Sequence, residues 1–209
     1  TSENMTSRPP RLPRTFLATT LSLSLITAFA KTPVATGTGG AVATISDHAS
    51  HAAMAILNKG GNAVDAAVAA AATLGVTDPF SCGIGGGGFM MVYLAKEKRV
   101  ITIDHRETAP AAATPSLFLA NGREMDFETA VASGASVGVP GTVRGWHEAL
   151  ERYGTMSFKE VLQPAIVVAS KGFPVSETFS HLTAQNETKF RRFASTSELY
   201  LKDGRALKV

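Results

Sequence analysis

Three groups of residues in this chain have types and spacings that could do chemistry. The first is Arg106, two residues behind an apolar run that closes at Asp104. A guanidinium presents a planar fork of donors that matches a carboxylate bidentately, so an arginine projecting from a strand end suits the grip of an acidic head group. The same side chain could serve a structural ion pair with Asp104 or Glu107, and residue chemistry alone leaves both uses open. The second group is Asp47, His48 and His51, where His48 and His51 would share a helix face. These are metal-ligand types, but no second shell accompanies them, so a solvated or capping face is expected and no metal is assigned. The third is Cys82, the single cysteine. No residue can be assigned as its base, so it is expected to be a small buried residue. With no second cysteine it has no intramolecular disulfide.

A glycine run precedes the first of the strand-like segments. Gly83, Gly85 and Gly88 satisfy G-x-G-x-x-G. A dinucleotide fingerprint needs a strand before it and a helix after it, because the helix N-terminus holds the pyrophosphate. Here Asp78-Pro79-Phe80-Ser81 precedes and Phe89-Met90-Met91-Val92-Tyr93-Leu94 follows, the reverse of that context. No P-loop pattern is present either, and no cofactor is expected. A backbone without Cβ atoms lets other groups approach closely. The four glycines 85–88 are therefore read as a tight packing element near a site.

The elements that must position these residues follow from pattern. A short buried strand is expected at 41–45, then a helix at 48–58 capped by Ser46 or Asp47. Gly60-Gly61 end that helix. Asn62 caps the next one, 63–74, with Asp65 favoured near its positive end. Its alanine-rich body is apolar on every face, which predicts close burial against a sheet. The runs 89–94 and 100–104 around Lys96-Glu97-Lys98-Arg99 read as an antiparallel hairpin. A strand end and turn are expected at 137–141, and Thr142 is expected to cap a helix reaching Tyr153. Ser157 and Glu160 have capping-box spacing, and Pro164 should kink or divide the helix they start. Another helix is expected from Ser176 to about Phe193, then a hairpin turn at Asp203-Gly204. The whole is a helix-and-sheet mixture, α/β or α+β, with no internal repeat.

Composition sets the outer bounds. Of 209 residues, 44% are hydrophobic and 18% charged, which is globular usage. The net charge is +3, but Arg8, Arg11 and Arg14 stand against Glu3 alone in the first thirty residues, so most of the excess sits there. No basic stripe with interleaved aromatics follows, and nucleic acid is not an expected partner. Those three arginines precede an apolar stretch, 16–30, that ends Ala28-Phe29-Ala30. This is the three-part pattern of a secretory signal, expected at 1–30 and cleaved, with an uncleaved anchor as the alternative. An exported protein is expected, periplasmic or extracellular, with the mature domain at 31–209.

The mature chain resembles the large subunit of γ-glutamyltranspeptidases. The likeness is carried by Lys59-Gly60-Gly61-Asn62-Ala63-Val64-Asp65-Ala66-Ala67, by Cys82-Gly83-Ile84-Gly85-Gly86-Gly87-Gly88-Phe89, and by Asp104-His105-Arg106-Glu107-Thr108-Ala109-Pro110. Gly138-Val139-Pro140-Gly141-Thr142, Pro164-Ala165-Ile166 and Gly172-Phe173-Pro174-Val175-Ser176 extend it, in order, from about Gly40 to Val209. The resemblance implies an N-terminal-nucleophile hydrolase, an αββα sandwich present here in part. It implies a precursor that cleaves itself, with the new N-terminal threonine of the small subunit as nucleophile and its α-amine as base. It implies glutathione and other γ-glutamyl compounds as substrates, the chain's own small subunit as partner, and Arg106 as the ligand of the substrate α-carboxylate. Nothing in 1–209 matches the nucleophilic threonine, so residues 1–209 alone are expected to lack hydrolase activity. A related acylase and a non-catalytic binding module are the competing readings.

Overall fold

A computed structural model of the chain describes residues 36–209, and every element below belongs to the unit Gly39–Val209. The signal expected at 1–30 lies outside the described residues. Helix α1 (Asp47–Asn58) gives way to a turn in which Gly60 takes φ 91°, a left-handed conformation that glycine adopts without penalty. Asn62 then caps α2 (Ala63–Thr77). Its side chain accepts from Val64 N at 2.8 Å and Asp65 N at 3.1 Å, and the Asp65 carboxylate accepts from Asn62 N at 2.7 Å. Two otherwise orphaned donors at the helix start and the N-cap amide are satisfied reciprocally. At α1 the N-cap is Ser46, but its side chain makes no cap bond; its Oγ instead accepts from Thr77 Oγ1 at 3.2 Å, because the end of α2 lies beside it.

The alanine-rich α2 is buried almost throughout, though not chiefly against a sheet as expected. It lies between α1 and α6 (Phe158–Lys171), and alanine at seven of its fifteen positions is what lets helix backbones approach so closely. The core joins Ala49, Ala53 and Ile56 of α1, Val68 and Ala69 of α2, Trp146, Ala149 and Leu150 of α5 (Thr142–Tyr153), and Val161 and Ala165 of α6. A sheet does contribute, at the flank. Strands β1 (Phe89–Leu94) and β2 (Arg99–Asp104) form an antiparallel hairpin in which Phe89 faces Asp104 and Leu94 faces Arg99. Met90, Val92, Ile101 and Ile103 turn to the helices, while Phe89, Met91, Tyr93 and Val100 stand exposed on the other face.

Several local expectations are corrected by tertiary context. Residues 41–45 form no strand; they have no ladder partner among the described residues, bend at Ile45 and leave it 80% exposed. Thr142 is the first residue of α5 and Gly141 its N-cap, with no side-chain cap bond. Helix α6 runs undivided through Pro164, because buried Val161 and Ala165 seat the turns before and after the proline in the same core. Its capping box forms as expected, with Ser157 Oγ accepting from Glu160 N at 3.3 Å and Glu160 Oε2 accepting from Ser157 N at 3.0 Å. The single helix expected from Ser176 is instead broken at Asn186 into α7 (Glu177–Gln185) and α8 (Glu187–Phe190), followed by α9 (Ala194–Tyr200). Packing of Phe80, Phe179, Phe190 and Tyr200 into one aromatic cluster turns the chain there.

Two further hairpins have strands of two residues each, and the short helix α4 (Phe127–Val131), capped by Asp126, follows the first of them. One, β3 (Leu119–Ala120) with β4 (Arg123–Glu124), went unanticipated although Asn121-Gly122 marks it, with φ 53° and 74°. The other, β5 (Leu201–Lys202) with β6 (Arg205–Ala206), turns at Asp203-Gly204 as expected. The described residues thus form an α+β assembly with three separate two-stranded sheets. No helix among them is long and apolar enough to cross a membrane.

Candidate functional site

Residues about eighteen apart in sequence meet because of the hairpin register. The glycine run leads straight into β1 and Arg106 follows β2, so pairing Phe89 with Asp104 sets Gly88 against His105. Two backbone bonds extend the ladder there, His105 N to Gly88 O at 3.0 Å and Gly88 N to His105 O at 3.3 Å. The carbonyl of Gly86 accepts from Gly141 N at 3.0 Å and Thr142 N at 3.2 Å, which ties the run to the start of α5. Between these parts lies a cleft of about 690 Å³. Its walls include Phe80, Cys82, the glycines 85–88, His105, Arg106, Glu107 and Trp146. The glycine run is therefore a wall of this cleft, and a short helix, α3 (Pro79–Cys82), precedes it while a strand follows. That order does not suit a dinucleotide.

Arg106 stands at this wall, just past the end of β2. Its backbone N–H donates to Asp104 Oδ1 at 3.0 Å, and its Nη2 lies 3.3 Å from Glu107 Oε1. The side chain is 57% exposed, so the guanidinium keeps donors free for a ligand. Glu107 is more enclosed, and its Oε2 is buried with no hydrogen-bond partner among the described residues. The pairing with Glu107 anticipated from sequence is thus present, while Asp104 engages the backbone and not the guanidinium.

His105 is not marked by the sequence pattern, and Glu107 is marked only as a possible ion-pair partner of Arg106. The glycines marked them indirectly. A Cβ on Gly87 would strike the His105 carbonyl and the Glu107 amide and carboxylate; one on Gly138 would sit 3.3 Å from Glu107 Cβ. The backbone around 105–107 is fitted into space that only glycine leaves.

Asp65 has a larger role than the helix-end charge expected of it. It is fully buried. Besides Asn62 N, its carboxylate accepts from Thr155 Oγ1 at 2.6 Å, Thr155 N at 3.0 Å and Met156 N at 3.2 Å. Asn62 Nδ2 adds a bond to Tyr153 O at 2.6 Å. One carboxylate thereby joins the start of α2 to the link between α5 and α6. Burial pushes its pKa up, but the Thr155 hydroxyl and the amides of Asn62, Thr155 and Met156 outweigh that and hold it below the ordinary value. A carboxylate in the midst of an alanine run was the signal for this.

The remaining candidates do not converge. Among the described residues no three His, Cys, Asp or Glu side chains stand together as a metal site. His48 is half-buried with its ring edge-on to Phe173, centroids 6.2 Å apart, and not simply solvated; Asp47 and His51 are exposed. Cys82 is half-buried in the cleft wall and not in the core as expected, because the short α3 carries it out to the glycine run. Burial first, then the Asp78 carboxylate, raise its thiol pKa. Less thiolate is present at neutral pH than for a free thiol, and the thiolate is the reactive form. Cys82 is expected to react with iodoacetamide at pH 7 more slowly than free cysteine; a faster reaction would contradict this environment.

Comparison with known proteins bears on the same residues. The family profile described as Gamma-glutamyltranspeptidase matches residues 49–209. A glutathione hydrolase proenzyme of Bacillus subtilis is 46% identical over 173 residues, covering 82% of this chain and 29% of that protein. An Acylase ACY 1 proenzyme of Pseudomonas sp. strain V22 is 38% identical over 179 residues, covering 83% of this chain and 32% of that one. The crystal structure of Helicobacter pylori gamma-glutamyltranspeptidase superposes with a TM-score of 0.78 at 30% identity, covering 84% of this chain and 50% of that one. The chain therefore spans under a third of the length of the two curated relatives.

Proposed function

This chain belongs to the gamma-glutamyltranspeptidase family, and from that premise we propose that it is the large-subunit part of an exported enzyme acting on glutathione and other γ-glutamyl compounds. The observation that carries the reading is Arg106: a guanidinium fixed through its backbone at the wall of a cleft of about 690 Å³, with donors left free. It would hold the α-carboxylate of the glutamyl group by a charge-assisted, bidentate contact. The chain's own small subunit, formed by self-cleavage, would complete the site.

The chemistry follows from that division of labour. The threonine hydroxyl at the new N-terminus attacks the γ-carbonyl carbon while its α-amine takes the proton. The amide C–N bond breaks and the proton passes to the departing amine. The γ-glutamyl ester is then opened by water, giving glutamate, or by an acceptor amine, giving a new γ-glutamyl compound. Arg106 acts throughout as an anchor, which makes the reaction at the γ-carbon effectively intramolecular.

The test is release of glutamate from glutathione by the full-length, processed protein, set against an analogue whose glutamyl α-carboxylate is an amide. Glutathione is expected to be cleaved with a kcat/KM at least about tenfold higher, a difference of about 1.4 kcal/mol. Equal rates would remove the carboxylate role. Preference for an acyl donor with no α-amino acid head would favour an acylase, and no turnover of either would favour a binding module.

A further inference from the structure

We propose that His105 is the positioning residue of this grip: its ring, wedged between the glycine run and helix α5, sets where the Arg106 guanidinium stands. The inference rests on the carboxylate role of Arg106 and names what holds that role in place.

Four glycines converge on this one histidine. A Cβ on Gly87 or on Gly141 would collide with the His105 carbonyl oxygen. A Cβ on Gly88 would lie 3.2 Å from His105 Cε1, and one on Gly145 only 2.6 Å from His105 Cβ and 2.7 Å from Cδ2. Gly145 is a buried residue inside α5. Glycine there costs the helix about 1 kcal/mol relative to alanine, and the structure shows what the missing methyl makes room for. At Nδ1 the ring is held by shape and not by a bond, since that atom is buried with no hydrogen-bond partner among the described residues. Backbone bonds to Gly88 fix the residue from both its amide and its carbonyl.

Arg106 is the next residue, and its amide is fixed in turn on Asp104 Oδ1. The backbone between Asp104 and Glu107 therefore has little freedom of its own. With the ring packed against the positions of Gly88 and Gly145, a shift forced on His105 as a whole is passed along this stiff stretch to the Arg106 Cα, its neighbour. A misplacement of about 1 Å can cost up to roughly a hundredfold in rate.

The experiment uses the full-length, processed protein, glutathione as donor, and Arg106→Ala as the reference. His105→Ala is expected to raise KM about tenfold, and to raise KM more than it lowers kcat. Gly145→Ala is expected to do the same by driving a methyl into the ring. In the double variant His105→Gly with Gly145→Ala neither the ring nor its Cβ meets the methyl, so KM is expected to be no higher than in His105→Gly alone. Such non-additivity is the signature of two residues acting through one contact. A merely structural role would lower the folded fraction and leave KM unchanged. The proposal is overturned if Arg106→Ala raises KM while His105→Ala and the double variant keep the wild-type KM, or if the two single effects simply add. If Gly145→Ala does not fold, comparison of the double variant with His105→Gly decides. If Arg106→Ala itself leaves KM unchanged, the carboxylate reading fails and this one with it.

Discussion

Replacing Arg106 with alanine in the full-length protein is expected to raise KM for glutathione roughly ten- to hundredfold while self-cleavage proceeds nearly as before. A charge-assisted hydrogen bond contributes about 1.5–3 kcal/mol, and each 1.4 kcal/mol is about a decade in affinity. The two readouts separate because Arg106 is bound to the rest of the chain mainly through its amide, which alanine retains. Its guanidinium has only the Glu107 contact at 3.3 Å to lose, and that pair is more than half exposed on the arginine side. An exposed pair of this kind contributes at most about 1 kcal/mol to stability. Removing it leaves Glu107 in a half-enclosed position without its cation, so some loss of stability should accompany the KM effect. Lysine at 106 should recover part of the affinity, because it keeps the charge but not the fork. An unchanged KM in Arg106→Ala, measured by glutamate release over a range of glutathione concentrations, would leave the cleft without its proposed anchor.

Asp65→Ala is expected to be the most destabilising single change in the helical core, by about 3 kcal/mol or more. The carboxylate satisfies the amides of Asn62, Thr155 and Met156 and the Thr155 hydroxyl, all at one fully buried point. Each buried donor left without a partner costs about 1–3 kcal/mol, against a usual total of about 5–15 kcal/mol for a domain. The effect should depend on pH with a defined sign. The folded pKa of Asp65 lies below the ordinary value of 3.8. Its contribution is therefore fully present above about that pH and is lost as pH falls through the lower, folded value. Urea unfolding of wild type and variant from pH 7 down to pH 2 should show the gap narrowing only at the acid end. A gap that stays constant with pH, or one below about 1 kcal/mol at pH 7, would mean the junction is held by packing and not by this carboxylate.

Two elements show why local patterns were enough in places. The hairpin β1–β2 was legible because two short apolar runs flank a turn charged at Lys96, Glu97 and Lys98, so pairing across that turn is a local matter. The Asn62 and Ser157 caps were legible because each is a contact between residues three apart, closed within one helical turn. The Asn121-Gly122 hairpin carried an equally local signal and was passed over because its strands are only two residues long. Pro164 shows the opposite case. Its local penalty is real, yet the buried faces of Val161 and Ala165 decide the path of α6.

The amino-acid sequence by itself determined the helix-and-sheet mixture, many element boundaries, the family, and Arg106 as the residue to watch. Those rest on periodicity, caps and motif order, which are properties of neighbours along the chain. Only the tertiary structure decided that α2 is sandwiched by helices, that Asp65 is a buried junction, and that four glycines close on His105. The partners in those contacts are separated by between about 18 and 90 residues. Their meeting depends on strand register and helix packing, which no local pattern encodes.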